Sequence, residues 1–91
     1  MLNAGTLIQG VKAAIGATAL QLTTDATPLN NGVRVKSIVG NGAIVYVGLV
    51  GVTTSTGYPL SAGESELFAV RDASKLFVIA TTSEAVRYQG S

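Results

Sequence analysis

The sequence contains neither cysteine nor histidine. Without cysteine it has no disulfide framework, no thiolate zinc site and no thiol nucleophile. Without histidine it lacks the commonest general base, the commonest transition-metal ligand and the usual partner of a nucleophilic serine. We therefore predict a protein that is not an enzyme and that uses no metal and no cofactor.

Charge is also scarce, because charged residues make up 12% of the 91 residues while hydrophobic residues make up 47%. A soluble domain usually carries about 25% charged residues. A domain of this size exposes much of its surface, and so few charges cannot keep that surface free of apolar patches. We infer that other subunits cover part of the surface.

Six basic and five acidic residues leave a formal net charge of +1. The basic residues are scattered singly or in pairs: Lys12, Arg34, Lys36, Arg71, Lys75 and Arg87. Binding of nucleic acid through phosphates requires a basic face, and the linear sequence indicates none. We expect no nucleic acid as a partner.

Signals for targeting or membrane insertion are weak. The first 22 residues lack a basic leading segment and are interrupted by glycines, which fits a signal peptide poorly. The most apolar stretch, 38–52, is shorter than the ~20 residues of a membrane-spanning helix. We expect no membrane partner.

Glycine, serine and threonine cluster between short apolar runs, which is typical of an all-β chain. Residues 33–37 alternate apolar and polar side chains and predict a strand with one face in solvent. Residues 43–50 are apolar and rich in β-branched side chains, which predicts a central strand with both faces buried. Gly40, Asn41 and Gly42 between these strands predict a tight hairpin turn.

The remaining strands are predicted at 17–22, 66–70, 76–80 and 85–89, with a long loop at 51–65. Strands at this spacing indicate a β-sandwich or a small barrel. We therefore predict a single β-sandwich domain over residues 17–91.

Residues 1–16 are harder to interpret. The flanking glycines argue against a stable helix. We predict an extended N-terminal arm that is ordered against something other than its own core. A short strand at 7–12 is compatible with this arm.

Three groups of side chains could carry chemistry or recognition. Glu64 and Glu66 would share one face of a strand and could hold a hard cation, but we prefer the alternative that they are solvated residues shielding an apolar strand. Asp25 and Asp72 are predicted to cap turns. Tyr58 is the one plausible exposed aromatic, and we prefer the interpretation that it anchors the long loop to the sandwich edge.

A resemblance adds to these inferences. The segments VYVG at 45–48, GVTTSTGYPL at 51–60, AGES at 62–65 and VIATT at 78–82 resemble a recurrent pattern in small tailed-bacteriophage virion proteins. The similarity covers residues 33–88, and the first 32 residues fall outside it. It implies a small jelly-roll-like β-sandwich on a phage particle, commonly trimeric and without catalytic residues.

From the charge deficit and this resemblance we expect a capsid decoration (cement) protein of the virion, made in the host cytoplasm. It would bind the outer surface of the major capsid protein and bridge capsid subunits. The alternative is a head-fibre, tail or host-recognition module that uses the loop 53–58 as its tip. The side chains expected to contact a partner are Leu2, Leu7, Ile8, Val11, Ile15 and Tyr58.

The charge deficit generates a prediction about self-association. We expect a homo-oligomer, with three copies as the expected number, because apolar surface without charges is stabilised by burial between subunits. Light scattering coupled to size exclusion measures the mass directly. A monomer that stays dispersed at high concentration would contradict this prediction.

Overall fold

The computed structural model describes residues 7–40 and 42–91, and almost all of its regular structure is β-strand. The strands are β1 (Ile8–Ile15), β2 (Leu20–Gln21), β3 (Val33–Ser37), β4 (Val45–Gly48), β5 (Tyr58–Leu60), β6 (Ser65–Phe68), β7 (Phe77–Ile79) and β8 (Glu84–Gly90). A single turn of 3₁₀ helix, Ala73–Lys75, precedes β7. The prediction of an all-β protein is confirmed.

The strands form two antiparallel sheets of four strands each. Sheet A has the order β1-β8-β3-β6, and sheet B has the order β2-β7-β4-β5. The chain therefore passes repeatedly from one sheet to the other. The first strand pairs with the last, so β8 lies in the middle of sheet A.

The core lies between the two sheets and is built from aliphatic side chains of both. In β3, Val33 and Val35 are buried while Arg34 and Lys36 are exposed, as the alternating sequence predicted. Val47 from β4 belongs to the same cluster. Each fully buried aliphatic side chain stabilises the fold by about 1.5–3 kcal/mol relative to its exposed state, and this burial holds the sheets together.

Strand β1 corrects the prediction of an arm that contacts something other than its own core. Its residues pair with β8 from Ile8 opposite Gly90 to Ile15 opposite Glu84. Between Lys12 and Ile15 the register shifts, because two residues of β1, Ala13 and Ala14, lie opposite the single residue Ala85 of β8. Residues 8–15 are thus an edge strand of the domain.

The register shift explains why the spacing of Ile8 and Ile15 does not reveal that both are buried. In a regular strand, Ile8 and Ile15 would point to opposite faces because they are an odd number of residues apart. The extra residue of the β-bulge brings both side chains into the core. Ala14 lies in this bulge with a φ of 57°, a left-handed conformation that favours glycine.

The predictions for 40–50 also need correction. Strand β4 is central in its sheet, between β7 and β5, but only alternate residues are fully buried. No other layer of the described chain covers the outer face of sheet B, so burial of both faces does not occur. Strands β3 and β4 lie in different sheets, so residues 38–44 cross between sheets and form no hairpin; Asn41 lies outside the described residues.

Replacing Ala14 with glycine should stabilise the protein. Glycine removes the steric cost of a positive φ, and after its larger loss of chain entropy we expect a net gain of about 0.5–1 kcal/mol. The measurement is the free energy of unfolding in urea. The matched control is Ala13→Gly in the same strand, outside the left-handed position, which should cost about 0.5–1 kcal/mol. Equal losses in both variants would contradict the bulge.

Candidate partner-binding surfaces

The structure divides the six predicted contact residues into three groups. Leu2 lies outside the described residues. Ile8 and Ile15 are buried in the core, with 9% and 0% of their surface exposed, so neither is available to a partner. The prediction was wrong for these two because the bulge in β1 turns both of them inward.

Leu7 and Val11 are exposed at the edge of sheet A, at 57% and 58%. Strand β1 pairs with β8 on one side only, so its other edge has no strand neighbour in the described part of the chain. Lys12 lies opposite the buried Val86 in the register, and an inward-facing charge on an edge strand limits unspecific strand pairing. This edge therefore offers two apolar side chains beside unpaired backbone groups.

Tyr58 links the two sheets at the side of the sandwich opposite β1. Its hydroxyl donates a hydrogen bond to Glu66 Oε2 at 2.8 Å, and its ring meets the ring of Phe68 edge-on at 5.9 Å. Tyr58 belongs to β5 and its two partners to β6, which are the edge strands of different sheets. Tyr58 thus anchors the long loop to the sandwich edge, while 48% of its surface stays exposed.

The Tyr58–Glu66 hydrogen bond shifts the pKa of both side chains. The bond to Tyr58, with a second from the Leu67 amide, lowers the pKa of Glu66. The same bond raises the pKa of Tyr58. The pair is therefore most stable when Glu66 is ionised and Tyr58 is protonated.

The other carboxylates also accept hydrogen bonds within the fold. Glu64 accepts from the amide of Ser61 at 2.7 Å, and Glu84 accepts from the amide of Gly42 and the hydroxyl of Thr82. Asp25 and Asp72 each accept from an amide two residues later, which confirms them as turn caps. Among the described residues, no three His, Cys, Asp or Glu side chains come together as a metal site.

Basic side chains gather on the outer face of sheet A, which the sequence analysis missed. Arg34 and Lys36 of β3 point outward, and Arg87 of β8 is the register partner of Lys36. A groove of about 520 Å³ runs over these three cations and is also lined by residues of β1 and β8. The alternation in β3 indicated two of the cations, but the third joins them only through the β3–β8 pairing.

An apolar turn follows β4. The amide of Val52 donates to the carbonyl of Leu49 at 3.0 Å, and Gly51 has a φ of 85°, the geometry of a tight turn with glycine at its third position. The turn presents Leu49 and Val50 to solvent, the latter 80% exposed. The prediction that residues 43–50 form a buried strand is wrong for Leu49 and Val50, because both lie in this turn.

Comparison with known proteins adds no relative, since no protein-family model, curated protein or solved structure matches the chain. Within the described residues, no helix has the length and apolar character to cross a membrane.

Acid should weaken the Tyr58–Glu66 link. Because the folded-state pKa of Glu66 is lowered from 4.5, its contribution to stability is present above that value and is lost as pH falls through the lower folded pKa. Tyr58→Phe should therefore destabilise the protein at pH 7 and have a smaller effect at pH 3. The measurement is the free energy of unfolding of both proteins at the two pH values.

The control for this experiment is Tyr46→Phe, a half-buried tyrosine of β4 that makes no such bond to a carboxylate of residues 7–40 or 42–91. Its effect should not change between the two pH values. An effect of Tyr58→Phe that is independent of pH would contradict the assignment.

Proposed function

We propose that this chain is a structural protein of a phage virion, a capsid decoration protein that binds the outer surface of the capsid and stabilises it by bridging capsid subunits. The partner is the major capsid protein, and the chain acts as a homo-oligomer, with three copies as the expected number. No chemical step is part of this function.

The observation that carries the proposal is apolar exposure without compensating charge. Leu7 and Val11 are exposed at the free edge of β1, and Leu49 and Val50 are exposed at the turn after β4. Val39 is 73% exposed in the crossing between the sheets. Large apolar side chains in several exposed places favour burial against other subunits, since charged residues make up 12% of the chain.

The strand orders add support from architecture. Orders β1-β8-β3-β6 and β2-β7-β4-β5 fit an eight-stranded jelly roll made of two Greek keys. Viral capsid domains and lectins use this architecture. Because a fold alone does not fix a function, this likeness supports the proposal without carrying it.

Many weak contacts can hold such a protein on a shell. Burial of one exposed leucine or valine contributes about 1.5–3 kcal/mol at most. In an oligomer the second and third copies bind at a high effective concentration once the first is bound. Modest apolar contacts thus add up to durable attachment, and the attached copies hold neighbouring capsid subunits together.

The alternative is a host-recognition module on a head fibre or tail, and the loop 53–58 favours it. The hydroxyl of Thr53 accepts hydrogen bonds from the amides of Ser55 and Thr56, and the hydroxyl of Thr56 accepts from the amide of Thr53. These bonds fix the loop while the side chains of 53–56 stay exposed. A preorganised loop loses less entropy on binding.

Two substitutions separate the candidates. Leu7→Glu and Val50→Glu place a charge in the exposed apolar positions, and we expect each to reduce the amount of protein retained on purified particles about tenfold. Thr54→Glu in the loop 53–58 should leave retention unchanged. The measurement is retention on particles after dilution, together with the heat stability of the particles.

Circular dichroism of each variant establishes that the fold is intact. Suppose that Thr54→Glu abolishes attachment to host cells while Leu7→Glu and Val50→Glu leave retention unchanged. This result would contradict the decoration function and support the host-recognition module. Imaging of labelled protein on intact particles gives the position independently.

A further inference from the structure

We propose that the groove on the outer face of sheet A is a binding site for an acidic segment of a partner polypeptide. The site consists of the side chains of Arg34, Lys36 and Arg87, flanked by the amides of Gln9 and Gln89. We take the capsid protein as the source of that segment, and in this point the inference rests on the proposed function. The groove itself is argued from the geometry and charge of this chain.

The register brings like charges together. Lys36 and Arg87 are direct partners across β3 and β8, which places their Cα atoms about 4.5–5.5 Å apart. Arg34 lies two residues from Lys36 on the same face, about 7 Å along the strand. Like charges directly opposite each other in a sheet are destabilising. Three of the six basic residues of the chain therefore lie where they repel each other.

The fold itself supplies little to offset this repulsion. The outward positions of the four strands of sheet A, as far as the structure describes them, include no Asp or Glu. Glu66 is close enough to Arg34 for the guanidinium to lower its pKa slightly, behind the two hydrogen bonds that dominate the shift. Those hydrogen bonds, from Tyr58 and from the Leu67 amide, hold the carboxylate on the inward side of the sheet, where Glu66 is the register partner of the buried Val35.

All five acidic side chains of the chain are used in this way. Each accepts at least one hydrogen bond from a turn, a cap or Tyr58. None of the five lies on the outer face of sheet A, so the anion that would pair with Lys36 and Arg87 there is supplied, in this proposal, by another molecule. Arginine suits a carboxylate because its planar fork donates two parallel hydrogen bonds.

The shape and lining of the groove favour a polypeptide. Its volume of about 520 Å³ is within the ~300–1,000 Å³ of ordinary ligand sites and is larger than one small anion needs. The amides of Gln9 and Gln89 can donate to and accept from a peptide backbone, and Val11 adds an apolar contact. Single-stranded nucleic acid is less suited, because stacking requires exposed aromatic faces. Tyr88 is the one aromatic residue lining the groove, and it is the register partner of the buried Val35, with its side chain packed against the core.

Titration with a short oligo-glutamate peptide tests this site. At low ionic strength the peptide should bind the full chain and shift the backbone amide resonances of β3 and β8, and oligo-glutamine of equal length should not bind. Arg87→Gln should weaken the affinity about fivefold, the effect of one exposed ion pair of about 1 kcal/mol. Lys36→Gln serves as a second variant in case the first does not fold.

Arg71→Gln is the matched control, since it removes the same charge from an exposed position outside sheet A. It should leave the affinity for the peptide unchanged. Equal weakening by Arg71→Gln and Arg87→Gln would mean attraction by net charge alone and would overturn the site. Absence of peptide binding at low ionic strength would overturn it as well.

A single-stranded oligonucleotide of matched charge forms another arm of the experiment. If it binds more tightly than the peptide with the same dependence on Arg87, the assignment of an acidic polypeptide is wrong. Failure of the proposed function is recognised separately: a chain that binds oligo-glutamate through the groove but is not retained on particles keeps the site and loses the capsid partner.

Discussion

The pairing of the first strand with the last is the constraint on which the remaining structure depends. Strand β8 lies between β1 and β3, so sheet A is completed only when the two ends of the chain meet. This pairing brings Ile8 and Ile15 to the core on one side and Arg87 next to Lys36 on the other. Closing so long a loop costs chain entropy, which the contacts of the completed sheet must offset.

A close contact inside this pairing shows how narrowly it is specified. Gly10 lies opposite Tyr88 in the register, and a Cβ at Gly10 would be 2.5 Å from the tyrosine Oη. The missing side chain makes room for a ring that packs against the core. The glycine that argued against helix in the sequence is therefore a packing requirement of the strand.

What the sequence could predict follows from local periodicity. The alternation in Val33–Ser37 predicted both the strand and its solvent face, because each side chain there reports its own burial. Alternation gives no guide to Ile8–Ile15, where a bulge shifts the period, and the apolar run misled for Leu49 and Val50, where a glycine turn exposes aliphatic side chains. Neither a bulge nor the partner of a strand is encoded in the spacing of apolar residues.

The candidate sites follow the same division. Leu7, Val11 and Tyr58 were predicted to contact a partner; the structure shows that they are exposed, and the contact itself stays a prediction. The cations of sheet A could not be predicted as a group, since residues 36 and 87 become neighbours only through a non-local strand pair. In a chain with six basic and five acidic side chains, the carboxylates bond to turns, a cap and Tyr58, and three of the cations lie together on the outer face of sheet A. At the proposed site, two copies of this basic face would repel each other, so the charge of the face favours a partner of opposite charge.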